Sequence, residues 1–585
     1  MKILEQTSVG RIWSVKPAKQ ILFKYFPNLA DEEHLAFSYK ILTLGQFLER
    51  RLELGFPPQE REALLRELAQ VPAGEAAAPS RDWGSGKEKL ADVRVDGGGV
   101  VGSPERVAKW DIFELELKGP SAGNPYTDVE LAATFNCSGE TRSVRVSGFY
   151  NGEGSYKIRL MPDREGEWTY RTESTVKALG GLEGSFVCGP PAADSHGPVR
   201  VRETFHFAYA DGTAYLPFGT TCYAWTHQGE DLERETLESL ARSPFNKMRM
   251  CVFPKSYLYN RNEPQLYPYE GSLETGWNFG AFNPAFFEHL ERRIADLGRL
   301  GIEADLILFH PYDRWGFSEM DREADDLYLR YIVARLSAYR NVWWSLANEY
   351  DLMWAKGDED WERYAKIIRE TDPCGHLLSN HNWLTYYDHS KPWLTHSSIQ
   401  RIEVYKTSEA TLEWRERWGK AVVVDECAYE GDIDQGWGNI TGEEMVRRCW
   451  EGMIRGGYVG HGETYLNEEE ILWWSKGGKL VGDSPARIGF LRRLVEEAPK
   501  QRWEPLPSEW DLPCAGVREE YYMYYFGFNQ PRFRIFQLKP GIRFKVEIID
   551  TWNMTIAGVP GTFEGMFRVD LPGRPYMAVR LTRAE

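Results

Sequence analysis

No stretch of the sequence reaches the roughly 20 consecutive apolar residues that a membrane-spanning helix requires, so a soluble chain is expected. Basic residues are in deficit: 70 Lys and Arg stand against 87 Asp and Glu, a formal charge of −17. Polyanions are held by clustered Lys and Arg, so nucleic acid is not expected as a partner. Cysteine is sparse and scattered: Cys137, Cys188, Cys222, Cys251, Cys374, Cys427, Cys449 and Cys514 form no CxxC pair. That pattern excludes a dense disulfide framework and a cysteine-ligated zinc, and it fits reduced, buried thiols in a cytoplasmic protein. At the N-terminus the apolar residues are interrupted by Glu5, Arg11, Lys16 and Lys19, so no secretory signal is read. The 11 His include no HExxH and no HxH at a strand end, no GxGxxG follows a strand, and a GxSxG nucleophile elbow is missing. Neither a metal nor a cofactor is expected.

What is present is an aromatic-rich globular chain. Over 585 residues, 42% are apolar, 27% charged and 14% aromatic, with 22 Trp, which is unlike disorder and long enough for several domains. Residues 1–72 read as a helical appendage, with Phe37, Ile41, Leu44 and Leu48 on one stripe and a second helix over 59–68 carrying Leu64, Leu65 and Leu68. Too small to bury much alone, it is expected to dock on a neighbour or on another subunit, so a homo-oligomer is compatible with it. Residues 73–106, rich in Ala, Gly, Pro and Ser, read as a linker. Short alternating runs over 107–201, separated by turn formers such as Asn151-Gly152, predict a β-sandwich.

From 202 to 502 the pattern changes to short apolar strands alternating with helices. Asn283-Pro284 opens a helix with Phe287, Leu290, Ile294 and Leu297 on one face, and Thr441 with Glu444 forms a capping-box pattern. Eight candidate strands fall at 216–223, 247–253, 304–310, 342–347, 377–381, 394–397, 421–426 and 458–464. That count in about 300 residues predicts an α/β class fold, a (β/α)8 TIM barrel. Residues 503–585 return to alternation and predict a small C-terminal antiparallel β-domain.

Barrel enzymes carry reacting groups at the C-terminal ends of strands. Strand four runs directly into Asn348-Glu349, and strand seven is three valines followed by Asp425-Glu426. Strands four and seven lie almost opposite in an eight-strand ring, so Glu349 and Glu426 are expected to face each other across its mouth. Splitting a glycosidic bond needs one carboxyl group that donates a proton and one that is ionised. A gap of about 5–5.5 Å gives retention and about 6.5–9.5 Å inversion, which sequence alone does not distinguish. Asp425 should point away from Glu426 by strand alternation and support it from behind.

With those motifs in hand, the sequence resembles clan A glycoside hydrolases, in which an Asn-Glu pair ends strand four and a lone Glu ends strand seven. It is most similar to bacterial glycosidases near the apiosidase-like group, whose barrel lies between a β-sandwich and a C-terminal β-domain. The likeness covers about 107–585 in architecture, with the specific motifs between 218 and 464. It implies retention, with Glu349 as acid/base, Glu426 as nucleophile and Asn348 bonded to the sugar 2-hydroxyl. Arg249 on strand two would bond Glu426 and hold it ionised, or form a structural ion pair. His310 at the end of strand three would bond a sugar hydroxyl, or be a satisfied core residue. His396 after strand six, and His461 and Glu463 at strand eight, are further candidates. The tyrosine that clan members place near strand six has no counterpart here, because Tyr405 is too far along. The pair His376 and His381 is assigned to strand and loop packing. Tyr257, Tyr259, Tyr267, Tyr269, Trp277, Tyr312, Trp315, Phe317, Trp473 and Trp474 fall in loops after strands, and Trp315 and Trp474 are chosen to pack on a sugar ring. The resulting expectation is a retaining, exo-acting, cytoplasmic glycosidase for short plant cell-wall oligosaccharides. Its rivals are a carbohydrate-binding barrel without catalysis and a metal-dependent barrel hydrolase.

Overall fold

The computed structural model describes residues 5, 7–13, 15–30, 42–53, 55–71, 98–403, 405–507 and 512–584. At its centre lie eight parallel strands: β1 (Gly219–Thr221), β2 (Lys247–Cys251), β3 (Glu303–Phe309), β4 (Val342–Ala347), β5 (Leu378–Ser379), β6 (Ser397–Gln400), β7 (Val422–Glu426) and β8 (Tyr458–Val459). β1 to β5 form one sheet and β6 to β8 another. Single parallel bridges, His381 to Ser398 and Thr220 to His461, join the two at both seams, so the strand order closes on itself. Nearly every residue of these strands is buried, which is why they read as apolar runs without alternation.

Helices follow most strands: α1 (Glu230–Ala241), α2 (Pro284–Arg299), α3 (Arg322–Leu336), α4 (Asp358–Thr371), α5 (Thr411–Trp418), α6 (Gly442–Ile454) and α7 (Ser484–Glu496). Their starts follow local chemistry. The Asn283 side chain accepts from the Ala285 amide with Pro284 at the first turn, and Phe287, Leu290, Ile294 and Leu297 are buried as the pattern requires. Thr441 caps α6 by accepting from the Glu444 amide, but the Glu444 carboxylate turns to Arg447 and Arg448, so only half of the expected capping box forms.

Before the ring, two mostly antiparallel sheets cover 99–189 and share one core, with Phe113, Leu115, Ile158, Phe135, Trp168 and Phe186 turned inward. Gly99–Gly102 pairs antiparallel with Phe113–Lys118, so ordered strand begins inside the stretch expected to be a linker; the linker's residues 73–97 lie outside the described residues. The N-terminal helices Val9–Trp13, Lys16–Tyr25, Leu44–Glu53 and Pro58–Ala69 bury Val9, Ile12, Leu22, Leu44, Phe47, Leu48, Leu64 and Leu68 together. Phe37 and Ile41 of the expected stripe lie outside the described residues. Gly10 lies so close to Trp354, in the segment after β4, that an added Cβ would sit 2.2 Å from its ring. After the ring, a six-stranded antiparallel sheet spans Pro505–Arg583 and shares core with α6: Tyr525 stacks on Trp450 at 5.0 Å.

Candidate active site

Both expected carboxylates stand at strand ends on the same side of the ring. β4 continues its ladder through the Asn348 amide, which donates to the Phe309 carbonyl at 3.0 Å. Glu349 then turns left-handed (φ 56°, ψ 58°), a strained conformation for a residue with a Cβ, and the Tyr350 amide is anchored to the His381 carbonyl at 2.9 Å. On β7 the register against β6 runs Ile399 to Val424 and then Gln400 to Glu426, so Asp425 is the extra residue of a β-bulge. The bulge cancels the alternation. Asp425 reaches Lys247 on β2 at 2.8 Å, while Glu426 hydrogen-bonds the Tyr223 hydroxyl beyond β1. Both side chains therefore face the ring interior, correcting the expectation that they point apart; Asp425 still supports from behind.

Electrostatics separate the two glutamates. Glu349 is 4% exposed; burial, then the charge of Glu426, pushes its pKa up to about 8 against the opposing hydrogen bond from Tyr312. Burial would raise Glu426 too, but the contact with His381, the charge of Arg249 and the Tyr223 hydroxyl override it and hold it at about 2. His381 Nε2 lies 3.3 Å from Glu426 Oε1, a close contact without the alignment of a good hydrogen bond. At neutral pH one carboxyl keeps its proton and the other is ionised.

Around them, Asn348 Oδ1 accepts from Arg249 Nη2 at 3.0 Å and lies 3.2 Å from the Tyr223 hydroxyl. That leaves its amide NH2 group as the donor end. Lys255 Nζ sits 3.5 Å from the Tyr223 ring centre, 4.3 Å from Tyr312 and 4.6 Å from Trp474, a buried ammonium caged by aromatic faces. Trp474 is 4% exposed and its indole N–H has no acceptor among the described residues, so it presents both a ring and a donor.

The other sequence candidates divide. Arg249 hydrogen-bonds Asn348 and Ser345 and lies 3.5 Å from Asp305; it acts on Glu426 through its charge rather than by the direct bond expected. His310 donates its Nε2 hydrogen to the Phe253 carbonyl at 3.1 Å, leaving Nδ1 without a partner among the described residues, and burial drives its pKa down to about 3. Trp315 donates to Glu263 at 2.9 Å and stacks toward Phe317, which places it in loop core rather than beside the glutamates. His396 precedes β6 instead of following it, and packs on Trp343 and Phe207 at the opposite rim. Glu463 accepts from the amides of Val481 and Gly482, tying down a loop. Sequence reasoning missed Tyr223, Lys255 and His381 as site residues. His381, assigned to packing, places Nε2 3.3 Å from Glu426; Tyr223, from strand one, holds Glu426 where a strand-six tyrosine was sought; Tyr405 is 85% exposed.

Glu430, His461 and Glu463 bring ligand-type atoms within 4.8 Å of one another. Their carboxylate oxygens already accept backbone amides at 481–484, and His461 Nδ1 is engaged with Thr220, so the cluster works as a loop clasp. A cleft of about 810 Å³ between the N-terminal sheets and α3 is lined by Tyr126, Arg145, Glu173 and Arg330 and lies away from both glutamates.

Residues 202–504, just over half the chain, match the family model described as "Apiosidase-like, catalytic domain". Residues 106–175 and 510–582 match two domains of unknown function. The crystal structure of a candidate glycoside hydrolase from Bacteroides vulgatus ATCC 8482 is 42% identical, over 82% of this chain and 100% of that one, with a TM-score of 0.78. A glycoside hydrolase family 5 structure from the same organism matches 66% of this chain and 93% of that one at 14% identity and a TM-score of 0.53, a likeness of fold alone. No curated protein matches the sequence.

Proposed function

The chain belongs to the apiosidase-like catalytic-domain family, and from that membership we propose that it is a retaining glycoside hydrolase built on a (β/α)8 barrel behind a β-sandwich. What carries this reading is the placing of Glu349 and Glu426 at the ends of β4 and β7, where burial and the Glu426 charge favour the protonated form of Glu349 while His381, Arg249 and Tyr223 favour the ionised form of Glu426. Glu349 donates its proton to the leaving glycosidic oxygen as Glu426 attacks the anomeric carbon, so the C–O bond breaks and a glycosyl ester forms. Glu349, now a carboxylate, takes a proton from water. The water oxygen bonds to the anomeric carbon and Glu426 departs as a carboxylate. Asn348 directs its amide to the sugar 2-hydroxyl, and Lys255 and the Trp474 indole offer donors to other hydroxyls. Trp474 also supplies an aromatic face to the ring.

The two glutamates are only 4% and 6% exposed, which supports exo-action on short oligosaccharides, for which plant cell-wall fragments are the proposed source. Among the described residues no helix is long and apolar enough to cross a membrane, compatible with the cytoplasmic site of action we favour. The test is a panel of aryl glycosides against wild type and Glu426→Gly, with azide added to the variant. Wild-type turnover that survives EDTA, and rescue of the variant as a glycosyl azide of inverted configuration, are expected. No turnover of any glycoside would leave a binding protein; loss with EDTA would make it a metal-dependent hydrolase.

A further inference from the structure

Behind Glu426 runs a line of buried polar groups that the reaction above leaves without a role. His381 Nδ1 lies 2.9 Å from Ser398 Oγ, Ser398 Oγ donates to Asp425 Oδ2 at 2.5 Å, and Asp425 Oδ1 accepts from Lys247 Nζ at 2.8 Å. Lys247 also donates to Asp305 at 2.5 Å, which Arg249 approaches to 3.5 Å. None of these residues is more than 2% exposed.

The chain has a direction. A serine hydroxyl carries one proton. Asp425 is ionised, because Lys247 and Arg249 outweigh its burial, so it can only accept. The Ser398 proton therefore points to Asp425, and Ser398 Oγ turns a lone pair toward His381. Nδ1 must then carry hydrogen. A neutral His381 would hold a bare Nε2 lone pair 3.3 Å from the ionised Glu426 Oε1 in a buried site. Only the imidazolium sets a positive charge beside that oxygen.

We propose that Ser398 and Asp425 are positioning residues that hold His381 as an imidazolium, the fixed cationic partner of Glu426. The role rests on the glycosidase reading only in calling Glu426 the nucleophile. Other groups facing this pair are Tyr223, Arg249, Lys255, Glu349 and Tyr429, with His389 behind His381. Arg249 favours the same ionised carboxylate, but its hydrogen bonds go to Asn348 and Ser345. Among the described residues, His381 Nε2 is the cationic nitrogen within 4 Å of Glu426. In the covalent intermediate the imidazolium loses its anion, so the device favours departure of Glu426 in the second step.

The test reads His381 directly. In protein labelled with 15N-histidine and assigned with His381→Gln, both ring nitrogens of His381 are expected to be protonated at pH 7 without substrate. Ser398→Ala should render the ring neutral at that pH and move the acid limb of kcat/KM up by about one unit. It should also lower kcat/KM by about ten- to a hundredfold. Ser398→Thr, which keeps the hydroxyl, should restore all three, and Asp425→Asn should behave like Ser398→Ala. A neutral His381 in the wild type overturns the proposal even if neither Ser398→Ala nor Asp425→Asn folds; so do unchanged nitrogen signals and an unmoved limb in Ser398→Ala. An imidazolium that depends on Ser398 in a protein hydrolysing no glycoside would uphold the relay and discard the catalytic reading.

Discussion

At the scale of single residues, the proton on Glu349 sets the upper pH limit. Its pKa is raised to about 8, so kcat/KM should fall above that pH as the acid is lost. Tyr312 donates to Glu349 and favours the ionised form, opposing burial and the Glu426 charge. Tyr312→Phe removes the donor, so the carboxyl should hold its proton more tightly and the descending limb should move to higher pH, by about one unit. A limb that stays put, or moves down, would show that Tyr312 does not govern the acid. The two glutamates were legible because an apolar strand ending in a carboxylate is a simple local pattern. Their partners were not. His381 and Ser398 meet across the seam between β5 and β6, and Tyr223 follows β1, two strands round the ring from β7 but 203 residues away in sequence, so no sequence window contains the contact. His396 was misplaced for a related reason: β6 begins at Ser397, about three residues later than its apolar pattern suggests, which turns an apparent strand end into a strand start.

At the scale of elements, the bulge on β7 is what brings Asp425 and Glu426 to the same side. Period-two reasoning fails at such a place, because the inserted residue becomes visible only through the pairing partner. The bulge is pressed against the residue that follows β8: the Gly460 amide donates to the Val424 carbonyl at 2.8 Å, and a Cβ on Gly460 would lie 2.6 Å from the Asp425 carbonyl oxygen. Backbone cannot yield there as a flexible side chain would. Gly460→Ala is therefore expected to shift the bulge, costing about 1–3 kcal/mol of stability. Because a small misplacement of a reacting group is expensive, kcat/KM should drop by about a hundredfold. Chemical denaturation and steady-state kinetics on the same preparation check both. Wild-type kinetics in this variant would mean that the bulge geometry does not matter to the glutamates. Helices were the most readable elements; α2 begins at Asn283-Pro284 as its cap and proline require.

At the scale of the molecule, the flanking units are joined to the ring by buried contacts, and this is the level sequence patterns conveyed least. Alternation announced strands at 113–118 and 155–161 but not what their outer faces meet. Arg159, on Ser155–Leu160, donates to Glu291 of α2 at 3.0 Å, and Glu291 also accepts from Arg335 of α3 at 2.6 Å. Arg335 in turn reaches Asn151 at 2.7 Å, and the Tyr331 hydroxyl donates to the Tyr150 carbonyl at 3.0 Å. Glu291 is 6% exposed, and the two guanidiniums outweigh burial and keep its pKa lowered. Glu291 thus pairs with two buried arginines from two units at once, alone among the described carboxylates with Arg335 and together with Glu114 at 2.7 Å with Arg159. Removing one member of such a cluster leaves charge without compensation in a poorly solvated place. Glu291→Ala is expected to destabilise the protein by about 3–5 kcal/mol, read as a lowered midpoint in urea. Arg159→Met, which takes away one cation and refills its volume, should cost clearly less. If Glu291→Ala instead unfolds at the wild-type midpoint, the arginines have found water or other anions, and the N-terminal sheets are attached to the ring by apolar packing alone.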